Sequence, residues 1–429
     1  MPRILDKLVD FRSGEGVPAV LGTLCFFCLL FSYSLLRPLR EAFGLERGED
    51  SLRLLFLATL VAMTVVSVAY GWLVKTLPRR IFVPLVYRLA ILSLAAFLAL
   101  LLWKGEGVSR WVGSVFYVWL SVFNVLAVSV FWALMADSFS LEQGKRLFGF
   151  VGVGGTAGAI VGSSTTWQLA EHIGPVGLML VAMVLIEFAA QLAGALNRRS
   201  ARGIDAPLND RRIGGSAWAG LGHMMRSPFL AGIALYVLLY TVGSTLLYFE
   251  KMRIVASAVE GRDERTSVFA AIELAGQSMT IILQVFLTGR LMKWLGVGAL
   301  LAAMPLVSLI GFGALWVWPT LAVVTLFEAA RRASNFALSK PARETLFTVV
   351  PRDDKYKAKA VIDTVVYRGG DTVGTLVDKV VAMAMASVAV VALPLSAGSL
   401  VLGFWLGGRV RSAGSSTGTS PGTGTETRA

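Results

Sequence analysis

Ionisable and amide side chains recur at helical spacing inside otherwise apolar stretches of this chain, where such groups are costly unless paired or functional. Tyr33, Arg37 and Arg40 fall at i, i+4 and i+7, with Glu41 next to them. Glu273, Gln277, Thr280 and Gln284 form an unbroken polar stripe. Glu328, Arg331, Arg332 and Asn335 make a third, and Asp363, Arg368 and Asp371 a fourth, with Asp378 and Lys379 further on. One reading treats these as structural glue, Glu328 pairing with Arg332 and Arg368 with Asp371 one turn away. The other treats them as one shared polar cavity. Arginine suits an anion, phosphate above all, because its planar fork donates two parallel hydrogen bonds. On that reading Arg37, Arg40, Arg331, Arg332 and Arg368 line an anion pathway, and Glu41, Glu273, Gln277, Glu328, Asp363 and Asp371 balance or gate it.

The elements that carry these residues are membrane spans. The chain of 429 residues is 55% apolar and only 16% charged, against roughly a quarter charged in ordinary globular domains. One crossing needs about 20 mostly apolar residues with every backbone group bonded internally. Twelve stretches qualify, near 18–40, 53–77, 80–103, 111–138, 146–170, 175–196, 228–250, 267–291, 296–317, 319–339, 358–385 and 387–408. The first is read as an uncleaved span closed by the polar run Arg37-Pro38-Leu39-Arg40-Glu41, since no A-x-A cleavage site follows. Cys25 and Cys28 lie inside it and read as packing residues, not a redox pair; His172 and His223 stand too far apart for a metal cage. No metal or cofactor is expected, and no Ser-His-Asp or Cys-His constellation suggests an enzyme.

Most of the 40 Lys and Arg fall on one side of these spans, in every second connection, among them Arg3, Lys7, Lys75, Arg79, Lys145, Arg198, Arg211, Lys340 and Lys357. The positive-inside rule then places both termini in the cytoplasm of a multi-pass inner-membrane protein. The net charge of +13 is that topology signal plus attraction to an anionic leaflet, and does not call for nucleic acid.

A basic stretch from Asn197 to Ser227 divides six spans from six. The expected organisation is a half over 1–197, a cytoplasmic linker over 198–227, a second half over 228–410 and a disordered Ser/Gly/Thr tail over 411–429. The halves echo each other. Gly71-Trp72-Leu73-Val74-Lys75 ends span two and Gly289-Arg290-Leu291-Met292-Lys293 ends span eight. Lys145 precedes Gly154, Gly155 and Gly158 in span five, as Lys359 precedes Gly369, Gly370 and Gly374 in span eleven. Twelve helices in two six-helix halves predict an all-α membrane protein of major-facilitator type, with a substrate site near the midplane. The run Gly71 to Arg80 is a degenerate form of that fold's loop signature, with Lys75-Thr76 in place of Asp-Arg. Gly154, Gly158 and Gly162 share a helix face and are read as close packing; no Gly-Lys-Ser/Thr follows them to make a phosphate loop.

Three islands in order resemble the ATP/ADP translocase family of plastids and intracellular bacteria. They are Leu36-Arg37-Pro38-Leu39-Arg40-Glu41, then Phe131-Trp132 with Glu142-Gln143-Gly144-Lys145-Arg146, and Leu338-Ser339-Lys340 through Lys357-Ala358-Lys359-Ala360-Val361-Ile362-Asp363 to Gly369-Gly370. Arg40, Glu41 and Gln143 stand where that family has Lys, Asp and Glu. The resemblance implies nucleotide exchange and carries Arg37, Arg40, Lys145, Lys359 and Asp363 over as site residues, although Lys145 and Lys359 equally fit plain topology charges. The expected partners are a small anionic substrate such as ATP or ADP and the bilayer, with the chain a monomer. Two other functions stay open: a facilitator for another anion or a lysophospholipid-like amphiphile coupled to H⁺ or Na⁺, and a non-transporting membrane scaffold.

Overall fold

A computed structural model describes residues 14–76, 79–103, 106–139, 141–200, 227–286, 288–347, 350 and 361–416. For some helix residues within these, including 67–76, 79–81, Lys145 and Asp363, it describes the backbone alone. Among the described residues there is no strand. The helices are α1 Gly16–Glu46, α2 Glu49–Thr76, α3 Arg79–Leu102, α4 Glu106–Ser138, α5 Leu141–Ser200 and α6 Pro228–Ala258. They continue with α7 Arg262–Phe286, α8 Thr288–Val317, α9 Leu321–Ser334, α10 Lys340–Leu346, α11 Tyr367–Met383 and α12 Ala389–Ser416. π-helical turns at Asn335–Ser339 and Ile362–Val366 join α9 to α10 and lead into α11.

Two of these runs are broken by glycine. Gly174 (φ 59°, ψ −170°) interrupts α5 and Gly296 (φ 73°, ψ 172°) interrupts α8. A left-handed φ with an extended ψ is open to glycine and strained for any other residue. Pro175 then starts the second arm of α5 where its missing N–H costs nothing. The breaks fall where the sequence predicts one span to end and the next to begin.

Eight helical runs among the described residues are long and apolar enough to cross a bilayer, the run 146–199 being 54 residues. α9 and α11 are outside that set, and these are the helices bearing Glu328, Arg331, Arg332, Arg368 and Asp371.

Two boundaries differ from the sequence reading. Arg37 to Glu41 does not close α1, which runs on to Glu46 with Pro38 inside it. Leu39 and Glu41 are buried, so the polar run is packed against protein and the helix has no reason to stop. α12 likewise continues past Gly408 to Ser416; residues 201–226 and 417–429, which hold most of the linker and the tail, lie outside the described residues.

Backbone contacts divide the chain into two compact units: Met1–Arg211 with Met252–Ser278, and Arg212–Lys251 with Met279–Ala429. In the first unit α5 lies directly on α1. A Cβ at Gly154, Gly158 or Gly162 would land on the carbonyl oxygens of Thr23, Phe27 and Phe31, one turn apart along α1. With no hydrophobic drive between helices in lipid, small residues that let backbones meet supply the packing. The rest of this core is aromatic: Phe26 stacks on Phe131 at 4.5 Å, and Phe116 meets Phe43 and Phe97 edge-on at 5.5 Å. Cys25 is buried within it, its thiol on the Ala189 carbonyl at 3.4 Å.

The second unit repeats the device. A Cβ at Gly370 or Gly374 of α11 would meet the Cβ of Thr241 or Thr245 of α6 at 2.7 Å. Glycines of the fifth span thus pack on the first span, and glycines of the eleventh on the seventh, which gives the internal repeat a structural counterpart. α8 and α12 also meet through glycine, Gly298 against Gly407.

Candidate functional site

Each unit gathers an arginine cluster of its own. In the first, Arg37 of α1 donates from Nη1 to Glu273 Oε1 of α7 at 2.7 Å, across 236 positions of sequence. Gln277 Nε2 donates to the same oxygen at 2.9 Å, so the stripe on α7 begins as a hydrogen-bonded pair. Glu273 is nearly enclosed (side chain 9% exposed) and Arg37 about a quarter open (24%). One turn on, Arg40 donates to Ser121 Oγ of α4 at 2.8 Å, lies over the Tyr117 ring at 4.7 Å and pairs with Glu41. Further along, Arg262 grips Glu46 with two nitrogens, and Arg253 reaches Glu49 at 3.1 Å. Arg37, Arg40, Arg253 and Arg262 each have a carboxylate partner.

At the other end of α1, Glu15 accepts from Arg146 at 2.8 Å and from Gln143 at 3.1 Å. That contact explains Gln143 physically: the acidic residue of the resembled family would set two carboxylates together, whereas an amide donates. The Lys145 side chain and all of Lys359 lie outside the described residues, as does the Asp363 side chain.

The second unit is built differently. Arg331 of α9 is buried at 8% exposure. It donates from Nε to Ser308 Oγ at 2.9 Å, from Nη1 to Ser244 Oγ at 2.9 Å and from Nη2 to the Tyr240 carbonyl at 3.0 Å, beside the Tyr240 ring. All three acceptors are neutral, and among the described residues no carboxylate forms an ion pair with it. Three of the five guanidinium N–H donors thus go to neutral oxygens, with Glu328 one turn away the nearby negative charge. Burying a charge this way costs several kcal/mol, by order of magnitude.

Neighbouring charges are paired. Lys251 of α6 meets Glu328 at 3.7 Å, and Arg368 meets Asp371 at 3.5 Å, with Thr245 Oγ1 also on Asp371 at 3.5 Å. Arg332 is half-buried on α9. The π-helical turn after Arg331 and Arg332 directs Asn335 to donate to Tyr240 Oη at 3.1 Å, and the Tyr240 and Tyr367 rings stand 6.0 Å apart. Such turns are frequent at functional sites, since the inserted residue leaves backbone groups unbonded and re-aims side chains.

The structure therefore brings Arg37, Glu273 and Gln277 together, and separately Arg40 with Glu41 and Arg368 with Asp371. Sequence reasoning did not single out Tyr240, Ser244, Ser308, Tyr117, Ser121 or Lys251. The visible signal is weak: Tyr240 and Ser244 share a helix face at i, i+4, but isolated hydroxyls are common in spans, where they bond to their own backbone.

No family model matches this chain, and no curated protein does. Solved structures do. An auto-inhibited peptide transporter of the POT family superposes with a TM-score of 0.60 at 14% identity, covering 92% of this chain and 97% of that one. A variant of the nucleoside transporter NupG gives 0.59 at 13% identity over 91% and 98%. An inward-facing, unoccupied bacterial homologue of the human lysosomal transporter Spinster gives 0.54 at 13% over 94% and 96%. Identity this low speaks for the fold alone: the chain is an all-α membrane protein of the major-facilitator type.

Proposed function

We propose that this protein is a secondary transporter of the cell inner membrane, both termini cytoplasmic, that works by alternating access and exchanges nucleotides such as ATP and ADP or a related phosphorylated organic anion. The fold is that of proteins named as nucleoside, peptide and Spinster-type transporters, and the resemblance to ATP/ADP translocases supports the substrate class.

The observation that carries the reading is Arg331: a buried guanidinium held by three neutral oxygens, with two donors to spare. An arriving phosphate oxygen supplies a directly bonded negative charge and a charge-assisted hydrogen bond worth about 1.5–3 kcal/mol. In this proposal exchange needs no hydrolysis, because a bound anion accompanies the positive charge in each direction. The balanced Arg37–Glu273 and Arg368–Asp371 pairs act as gates that open when the anion competes for the arginine.

The test is uptake of labelled ATP into proteoliposomes preloaded with ADP. Uptake that depends on internal nucleotide supports exchange. No uptake by folded, correctly inserted protein refutes the nucleotide assignment.

A further inference from the structure

Arg88 and Glu187 form an ion pair that neither cluster uses. Arg88 Nη2 lies 3.7 Å from Glu187 Oε1, and Gln191 donates to the same carboxylate at 2.6 Å. Both charged side chains are open, 58% and 40% exposed. Arg88 stands about 9 Å inside the apolar run that begins at Phe82 and Glu187 about 18 Å along the second arm of α5, at 1.5 Å per residue. Both positions lie inside a hydrocarbon layer about 30 Å thick, well away from its edges. The surroundings are not a polar cavity, because Leu89, Leu92, Val184 and Phe188 on the same two helices are exposed and apolar. An ion pair on a lipid-facing surface inside the hydrocarbon layer is costly, since both partners are held away from bulk water.

We propose that Arg88, Glu187 and Gln191 are the centre of a two-fold interface through which two copies of this chain pair in the membrane. A two-fold axis along the membrane normal keeps every residue at its own depth, so the ion pair of one copy meets that of the other at the same level. The same rotation reverses any direction in the membrane plane, so two in-plane pairs run antiparallel, with Arg88 of each copy facing Glu187 of its partner. A patch holding one positive and one negative group is complementary to its own rotated image. This pairing departs from the monomer expected from the sequence, and it is independent of the substrate reading.

The experiment counts subunits by stepwise photobleaching of singly labelled full-length protein in liposomes, across a range of protein densities. Wild type gives two-step traces as density rises. Arg88→Glu alone and Glu187→Arg alone stay single-step to densities at least tenfold higher, whereas the two variants mixed in one membrane pair with each other. Mixing distinguishes the interface from a pair that only joins α3 to α5 within one chain, for which mixing changes nothing. Should either reversal fail to fold, the double variant Arg88→Leu/Glu187→Leu, apolar at an already apolar surface, shows the same loss of pairing with its thermal unfolding unchanged. Single-step traces from wild type at every density, unchanged pairing in the variants, or no pairing on mixing overturns the proposal.

Discussion

The Arg37–Glu273 pair gives a prediction whose sign separates it from ordinary surface electrostatics. Removing one partner of a fully buried pair costs about 3–5 kcal/mol, because the survivor is left charged and uncompensated. Glu273 is 9% exposed and Arg37 24%, so partial solvation reduces this to about 1–3 kcal/mol for Arg37→Met or Glu273→Leu. Loss of Glu273 also strips the acceptor from Gln277. The double variant puts two apolar side chains in contact and recovers much of the loss, so it is more stable than the sum of the single losses by at least about 1 kcal/mol. Denaturant unfolding in mixed micelles measures all four proteins, with midpoints converted through a common slope. Single losses that add up to the double within about 0.5 kcal/mol refute the coupling and with it the packing of α7 residues 262–278 against α1 through this pair.

The remaining predictions concern packing and backbone. Gly158→Leu drives a side chain into the Phe27 carbonyl and lowers stability by about 3 kcal/mol, the upper end for overpacking, whereas Gly149→Ala, with nothing within 4 Å, changes it by under about 1 kcal/mol; the same unfolding assay compares them. Gly174→Ala is strained at φ 59° and costs about 1–3 kcal/mol, read as a lower thermal midpoint. Tyr240→Phe removes the acceptor of Asn335 and the hydroxyl's bond to Tyr367 and costs about 1–2 kcal/mol, while Arg331 keeps the Tyr240 carbonyl, so anion binding measured by calorimetry is retained.

What the sequence made legible follows from how local each feature is. The all-helical, apolar character of the chain and the breaks near Gly174 and Gly296 are visible because apolar length and Gly-Pro punctuation are local properties. The face shared by Gly154, Gly158 and Gly162 is legible as a packing surface because its period matches the helix, although its partner helix is not. Arg37 and Glu273 could each be singled out as charges in spans, but their meeting across 236 positions depends on tertiary packing that no spacing encodes. The neutral surroundings of Arg331 were equally hidden, because Ser244, Ser308 and a backbone carbonyl carry no distinctive pattern. The π-helical turn at Asn335 breaks the 3.6-residue period and so could not be found from it. The overrun of α1 past Arg40 arose for a related reason: a polar run reads as a helix end when its burial cannot be seen.

The measurement that bears most directly on the central claim is ATP/ADP exchange in proteoliposomes by wild type, Arg331→Lys and Arg331→Gln, each first shown to be folded and inserted. The account predicts internal-nucleotide-dependent uptake by wild type and a loss of roughly 10–100-fold in Arg331→Gln, corresponding to one charge-assisted hydrogen bond. Arg331→Lys is only partly restored, because an ammonium keeps the charge without the fork that spans Ser308, Ser244 and Tyr240. Exchange by Arg331→Gln at the wild-type rate would contradict it.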